Sequence, residues 1–206
     1  MIQHPPPDLG ASSSADNRLF KSGALGLAVI VSACAWTANY WALVLMSAVL
    51  QPDIVHIYVI LSRLEVLIML VAYALTTIWL WRTRHNAELI NPRQQRWSVI
   101  WVWAGWIVPL FSYFVPKQLV DDVWRSTVST SRELRTQWWW GTWIIMSLAL
   151  LAGSVAFDDI VEGGGLVIYN LIVAVLTTIG MLFWIHVVRT ISDAQDALAS
   201  GIITPS

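Results

Sequence analysis

Four stretches of this chain lack any Asp, Glu, Lys or Arg: Ser22–Leu50, Val66–Trp81, Gln137–Phe157 and Gly163–Val188. A helix crosses the roughly 30 Å hydrocarbon layer of a bilayer with about 20 mostly apolar residues, so each run is long enough or nearly so. Charged residues make up 12% of the chain, against about 25% in ordinary soluble domains. The expectation is an all-α membrane protein with four transmembrane helices, at about 22–50, 53–81, 131–157 and 166–190. Residues 1–17, MIQHPPPDLGASSSADN, have almost nothing to bury and read as a disordered tail. Residues 18–195 then form one helical membrane domain, and 196–206 a tail that continues the last helix for an amphipathic turn or two.

Cys34 is the single cysteine, so no intramolecular disulfide exists. Val31-Ser32-Ala33-Cys34 has the look of a lipidation signal, but the chain stays apolar to Leu50, which predicts a retained anchor. Ala24, Ala28 and Ser32, four apart, would allow close helix packing in lipid. Thr130-Ser131-Arg132-Glu133 has the spacing of a capping box ahead of the third long run.

The stretch Trp97–Pro116 is a fifth uncharged segment, and topology turns on it. With all five segments spanning, six Lys/Arg fall on one side and five on the other. With Trp97–Pro116 not crossing, eleven fall on the N-terminal side and none opposite, leaving Arg63 inside the second helix. Lys and Arg collect in cytoplasmic loops, so the second arrangement is expected, with both termini cytoplasmic in a bacterial inner membrane. Trp79, Trp81, Trp97, Trp138, Trp139, Trp140 and Trp184 would form an aromatic belt beside those charges. Pro109 and Pro116 each interrupt a helix, giving a re-entrant 97–116, with a Pro-kinked helix as the alternative. A short interfacial helix at 117–127 would follow, its apolar face Leu119, Val120, Val123 and Trp124, with Asp121, Asp122 and Arg125 on other faces.

Trp97-x-x-x-Trp101, Trp106-x-x-Pro109, Pro116 and Asp122-x-Trp124-Arg125, in this order, resemble the bacterial domain-of-unknown-function family 4328. The resemblance extends over about residues 22 to 195. It implies an integral membrane protein and brings no assigned activity, substrate, cofactor or site residue.

Two groups of residues are functional candidates. Trp97, Trp101, Trp106, Pro109, Pro116, Asp121, Asp122, Trp124 and Arg125 would form a cytoplasmic contact surface, with the two acids exposed for a partner or cation. Asn39, Arg63, Glu65, Asp158, Asp159 and Asn170 fall at one depth, about 27–28 Å from the basic side at ~1.5 Å per residue. Ionisable residues in a membrane segment call for a functional hypothesis, so this layer would line an outward vestibule, or else meet headgroups by snorkelling. His4, His56, His85 and His186 match no metal spacing. Neither a catalytic constellation nor a phosphate-cradling loop stands out, so no metal, cofactor or nucleic-acid partner is expected. Two roles remain: a non-enzymatic structural or regulatory partner in a membrane assembly, built on lipid and other subunits or itself; or a small-solute or ion transporter with an outer polar vestibule.

Overall fold

A computed structural model of the chain describes residues 19–49, 55–128, 134–156, 160 and 164–201. The predicted disordered tail, the capping box at Thr130–Glu133, and Asp158, Asp159 and Glu162 lie outside them. Four long apolar helices are present: α1 (Gly23–Ala48), α2 (Val55–Ile90), α5 (Leu134–Val155) and α6 (Leu166–Ala199). Two shorter ones, α3 (Trp101–Ile107) and α4 (Val115–Thr127), lie between α2 and α5 in the chain. The protein is an all-α membrane protein with four helices fit to span a bilayer.

The spanning helices pack in the order α2–α1–α6–α5, each against its neighbours in that row. α1 and α6 approach closely at Gly26, where a Cβ would come within 2.6 Å of Ser192 Oγ and 3.3 Å of Val188 Cγ1. This differs from the sequence expectation, because Ala24 is exposed and Ala28 half-buried; of the predicted small residues only Ser32 is buried. In place of Ala24 and Ala28, Gly26 removes the Cβ that would hold the two backbones apart.

α2 and α6 run well past their apolar stretches, to Ile90 and Ala199 rather than 81 and 190. The extra turns are amphipathic and bury polar side chains on one another. Asn86 Nδ2 donates to Gln195 Oε1 at 2.8 Å, and Gln195 Nε2 donates to the Thr83 carbonyl at 2.9 Å. Asp196 accepts from the backbone N–H groups of Ser22 (2.6 Å) and Gly23 (3.1 Å). It thereby caps α1, whose first N–H groups have no partner within the helix. The turns beyond residue 190 are thus a packed part of the bundle, with Ile191 and Gln195 fully buried.

The stretch after α2 forms a hairpin instead of a fifth span. α3 has seven residues, about 10 Å at ~1.5 Å per residue, a third of a bilayer core. It stops because Val108, preceding Pro109, is extended (φ −77°, ψ 115°), as a residue before proline prefers. A 3-10 turn at Leu110–Tyr113 reverses the chain into α4. Pro116 does not break this helix but sits in its first turn, where a missing N–H has no cost. The hairpin's two arms touch in reverse order: Gln95 Nε2 with Ser126 Oγ at 2.8 Å, Trp97 Nε1 with Gln118 Oε1 at 2.9 Å, and Gly105 against Val115. Both ends of the segment therefore lie at the same end of the bundle.

Candidate functional site

The hairpin end and the opposite end of the bundle carry the two candidate groups, and the structure treats them differently. α4 combines Val115, Leu119, Val120, Val123 and Trp124 with Trp139, Trp184, Val187 and Ile191 in one buried core. It lies under the bundle, touching α2, α3, α5 and α6. No side of it is left as a broad polar surface: Asp121 and Asp122 are 5% and 1% exposed. This corrects the expectation that both acids are presented to a partner or cation.

A buried carboxylate must have its lone pairs satisfied. Asp122 accepts from the backbone N–H of Arg96 (3.0 Å), from Arg96 Nε (2.8 Å) and from Arg125 Nη2 (2.8 Å). Asp121 pairs with Lys117 and accepts from Thr136 Oγ1 at 2.8 Å, which ties α4 to the start of α5. Arg84, 3% exposed, reaches the Trp97 carbonyl at 2.6 Å and Glu88 at 3.2 Å. Asp122 thus ties the hairpin's two arms together, while Arg84 and Asp121 hold the hairpin onto α2 and α5.

The tryptophans are divided as well. Trp81 and Trp138 are exposed, as belt residues should be, whereas Trp79, Trp139, Trp140 and Trp184 are buried. Trp139 stacks on Trp184 at 4.3 Å and Trp140 on Trp143 at 4.6 Å. Trp97 and Trp101 meet edge to face at 5.1 Å, and Trp106 meets Tyr73 at 5.5 Å. Of the residues predicted as a contact surface, Pro116, Asp121, Asp122 and Trp124 are buried. Trp97, Trp101 and Trp106 are half-buried, and Pro109 and Arg125 are exposed.

At the opposite end, the gap between α2 and α5 is not filled. Here lies a cavity of about 540 Å³, lined by Tyr40 and Leu43 of α1, Tyr58, Ser62 and Glu65 of α2, Leu150, Gly153 and Ser154 of α5, and Tyr169 and Asn170 of α6, among others. Sites for small molecules typically enclose about 300–1,000 Å³. Glu65 accepts a 2.5 Å hydrogen bond from the Tyr40 hydroxyl, and Asn170 Nδ2 donates to the Tyr58 hydroxyl at 3.2 Å. Asn39 lies beside the cavity wall, donating to the Leu61 carbonyl at 3.2 Å. Gly153 lets the Tyr169 ring lie flush on α5, since a Cβ there would overlap the ring.

Of the predicted polar layer, the structure brings Glu65 and Asn170 into one cavity and places Asn39 beside it. Arg63 is exposed and makes no ion pair among the described residues. Tyr40, Tyr58 and Tyr169 were not foreseen, because tyrosine counts as apolar in a hydropathy reading. Depth would have revealed one of them: Tyr40 is 19 residues from Lys21 and Glu65 17 from Arg82, so both fall about 26–28 Å up antiparallel helices.

Toward the hairpin, the cavity has an aromatic floor. Trp143 Nε1 donates to the Tyr73 hydroxyl at 3.2 Å, bridging α5 to α2, and Trp36 lies 6.3 Å from both the Tyr40 and Tyr73 rings. The voids beneath measure about 70 Å³ each.

Fold and cavity together define a class: a four-span membrane protein closed at one end by a non-crossing hairpin and hollow at the other. The chain belongs to a family described as "Domain of unknown function (DUF4328)", whose model matches residues 42–193 and so takes in the hairpin and the cavity lining apart from Tyr40. No curated protein and no solved structure matches it.

Proposed function

We propose that the protein is a non-enzymatic solute-handling membrane protein of the transporter type, with the cavity between α2 and α5 as its outward vestibule and the hairpin as its closed inner gate. The observation that carries this reading is the cavity itself, a partly polar space with an acidic group at one end of an otherwise packed bundle. Transporters commonly bind solutes where helices are broken or diverge within the membrane. Binding rather than chemistry is favoured by the state of the lining hydroxyls. Ser62 and Ser154 donate to the carbonyls of Tyr58 and Leu151, and Glu65 is engaged by Tyr40.

Lys21, Arg82, Arg84, Arg93, Arg96, Lys117, Arg125, Arg135 and Arg189 lie toward the hairpin end, and Arg63 toward the other. That distribution supports a cytoplasmic hairpin and cytoplasmic termini in a bacterial inner membrane. The test is uptake and current measurement on proteoliposomes across a panel of small amines, amino acids and inorganic ions. A signal abolished by Ser62→Trp, whose indole would fill the vestibule, supports the reading. No signal for any solute, or one indifferent to that substitution, removes it.

A role as subunit of a larger membrane assembly is the second reading. It is favoured by the hairpin tip, where Trp103, Ile107 and Leu110 are exposed. Its test uses those three residues, since Asp121 and Trp124 are buried. Partners that co-purify with the wild type and with Trp103→Ala/Ile107→Ala/Leu110→Ala alike would eliminate it.

A further inference from the structure

Resting on the vestibule reading, we infer that the occupant is a small organic cation, an alkyl- or quaternary-ammonium compound, held between the Glu65 carboxylate and the rings of Tyr58 and Tyr169. The charge of the lining points to it. Among the described residues around the cavity, Glu65 is the one charged side chain, and no Lys, Arg or His lines the space. A neutral solute could at most donate a hydrogen bond to the carboxylate, without the charge–charge attraction open to a cation, and an anion would be repelled by it.

The remaining lining decides between an organic and an inorganic cation. A metal ion needs several convergent oxygen ligands at about 2–2.6 Å, typically more than one carboxylate. Here Glu65 is the one carboxylate among the described lining residues and is already bonded to Tyr40, and no group of three His, Cys, Asp or Glu side chains converges among the described residues. What the cavity offers instead is aromatic surface. Ammonium groups are attracted to the faces of tyrosine rings, more strongly when removed from water. Three helices each place a tyrosine around one acid: Tyr40 on α1, Tyr58 on α2 and Tyr169 on α6. Tyr40 orients the carboxylate through its 2.5 Å hydrogen bond, leaving Tyr58 and Tyr169 for the ligand. Leu43 and Leu150 supply contact for the alkyl portion. A volume of about 540 Å³ accommodates such a molecule with room for water.

The experiment uses the full chain in lipid nanodiscs and measures binding by calorimetry for choline and for 3,3-dimethylbutan-1-ol, its uncharged isostere. Choline is expected to bind at least about tenfold more tightly than the alcohol, the scale of a desolvated charge and ring contact. Glu65→Gln, which can still accept from Tyr40, should abolish that preference. Tyr169→Leu should weaken choline more than the alcohol. Arg63→Ala, off the cavity, serves as the control and should leave choline binding intact. If the alcohol binds as well as choline and Ser62→Trp blocks both, the vestibule reading stands and the cationic ligand is refuted. If neither compound binds while KCl or NaCl alone produces a Glu65-dependent signal, an inorganic cation site replaces the inference. If no probe binds at all, the cationic-ligand inference falls, and the vestibule reading falls with it unless the flux panel finds another solute.

Discussion

Removing the Asp122 carboxylate tests the claim that its ion pairs hold the two arms of the hairpin together. The group is 1% exposed and accepts three hydrogen bonds, two from Arg96 and one from Arg125. Bonds to a charged group contribute about 1.5–3 kcal/mol each in buried settings. The Arg96 and Arg125 side chains are 47% and 41% exposed, however, so in Asp122→Ala they would regain much of their hydration. Discounting for that leaves about 2–4 kcal/mol, mostly from the stranded Arg96 N–H and the lost tie between the hairpin arms. For a chain of this size, 1 kcal/mol corresponds to about 2–4 °C in melting temperature.

Asp122→Ala should therefore melt about 5–15 °C lower in mild detergent, followed by tryptophan fluorescence. Its emission should also be red-shifted before melting, as Trp97 and Trp101 lose their packing. Asp122→Asn keeps the shape and one acceptor and should fall between. Asp193→Ala, at an exposed position on α6, is the control and should melt like the wild type. A melting point for Asp122→Ala equal to that of Asp193→Ala would refute the fastening role of the ion pairs.

Topology and the buried amide network give two further predictions. In a Cys34→Ser background, Arg93→Cys and Val128→Cys should show the same accessibility to a membrane-impermeant thiol reagent, because the hairpin returns to its own side. Opposite labelling would mean that 97–116 crosses. Gln195→Leu should destabilise by about 1–3 kcal/mol, since one Asn86 amide hydrogen loses its buried acceptor and the Thr83 carbonyl and Thr127 hydroxyl each lose a donor. A thermal-shift measurement within 2 °C of the wild type would contradict that network's role.

The four spanning helices, the break at Pro109 and the non-crossing segment could all be read without coordinates. Each rests on a one-dimensional quantity: length of an apolar run, a missing backbone donor, a count of charges on either side. The depth of Glu65 and Asn170 followed in the same way from the rise per residue. Failures came where a residue's character depends on what lies across from it. Asp121 and Asp122 look like surface acids beside an apolar face, yet Arg96 and Thr136 arrive from elsewhere in the chain and join Lys117 and Arg125 of the same helix in satisfying them. Trp139 and Trp184 look like belt residues, yet they stack on each other inside the core. Gln195 and Asp196 look like the polar end of an amphipathic helix, yet Gln195 is buried against α2 and Asp196 caps α1.

The sequence by itself determined that this chain lives in a bilayer, how many times it can cross, and which segment turns back. Lipid forbids unpaired backbone and scattered charge, and those prohibitions act on local stretches. Only the tertiary structure decided that α2 and α5 part at one end, and that three tyrosines surround Glu65 there. A cavity belongs to the order in which helices pack, and that order is set by contacts such as Gly26 on Ser192, between residues more than 160 positions apart.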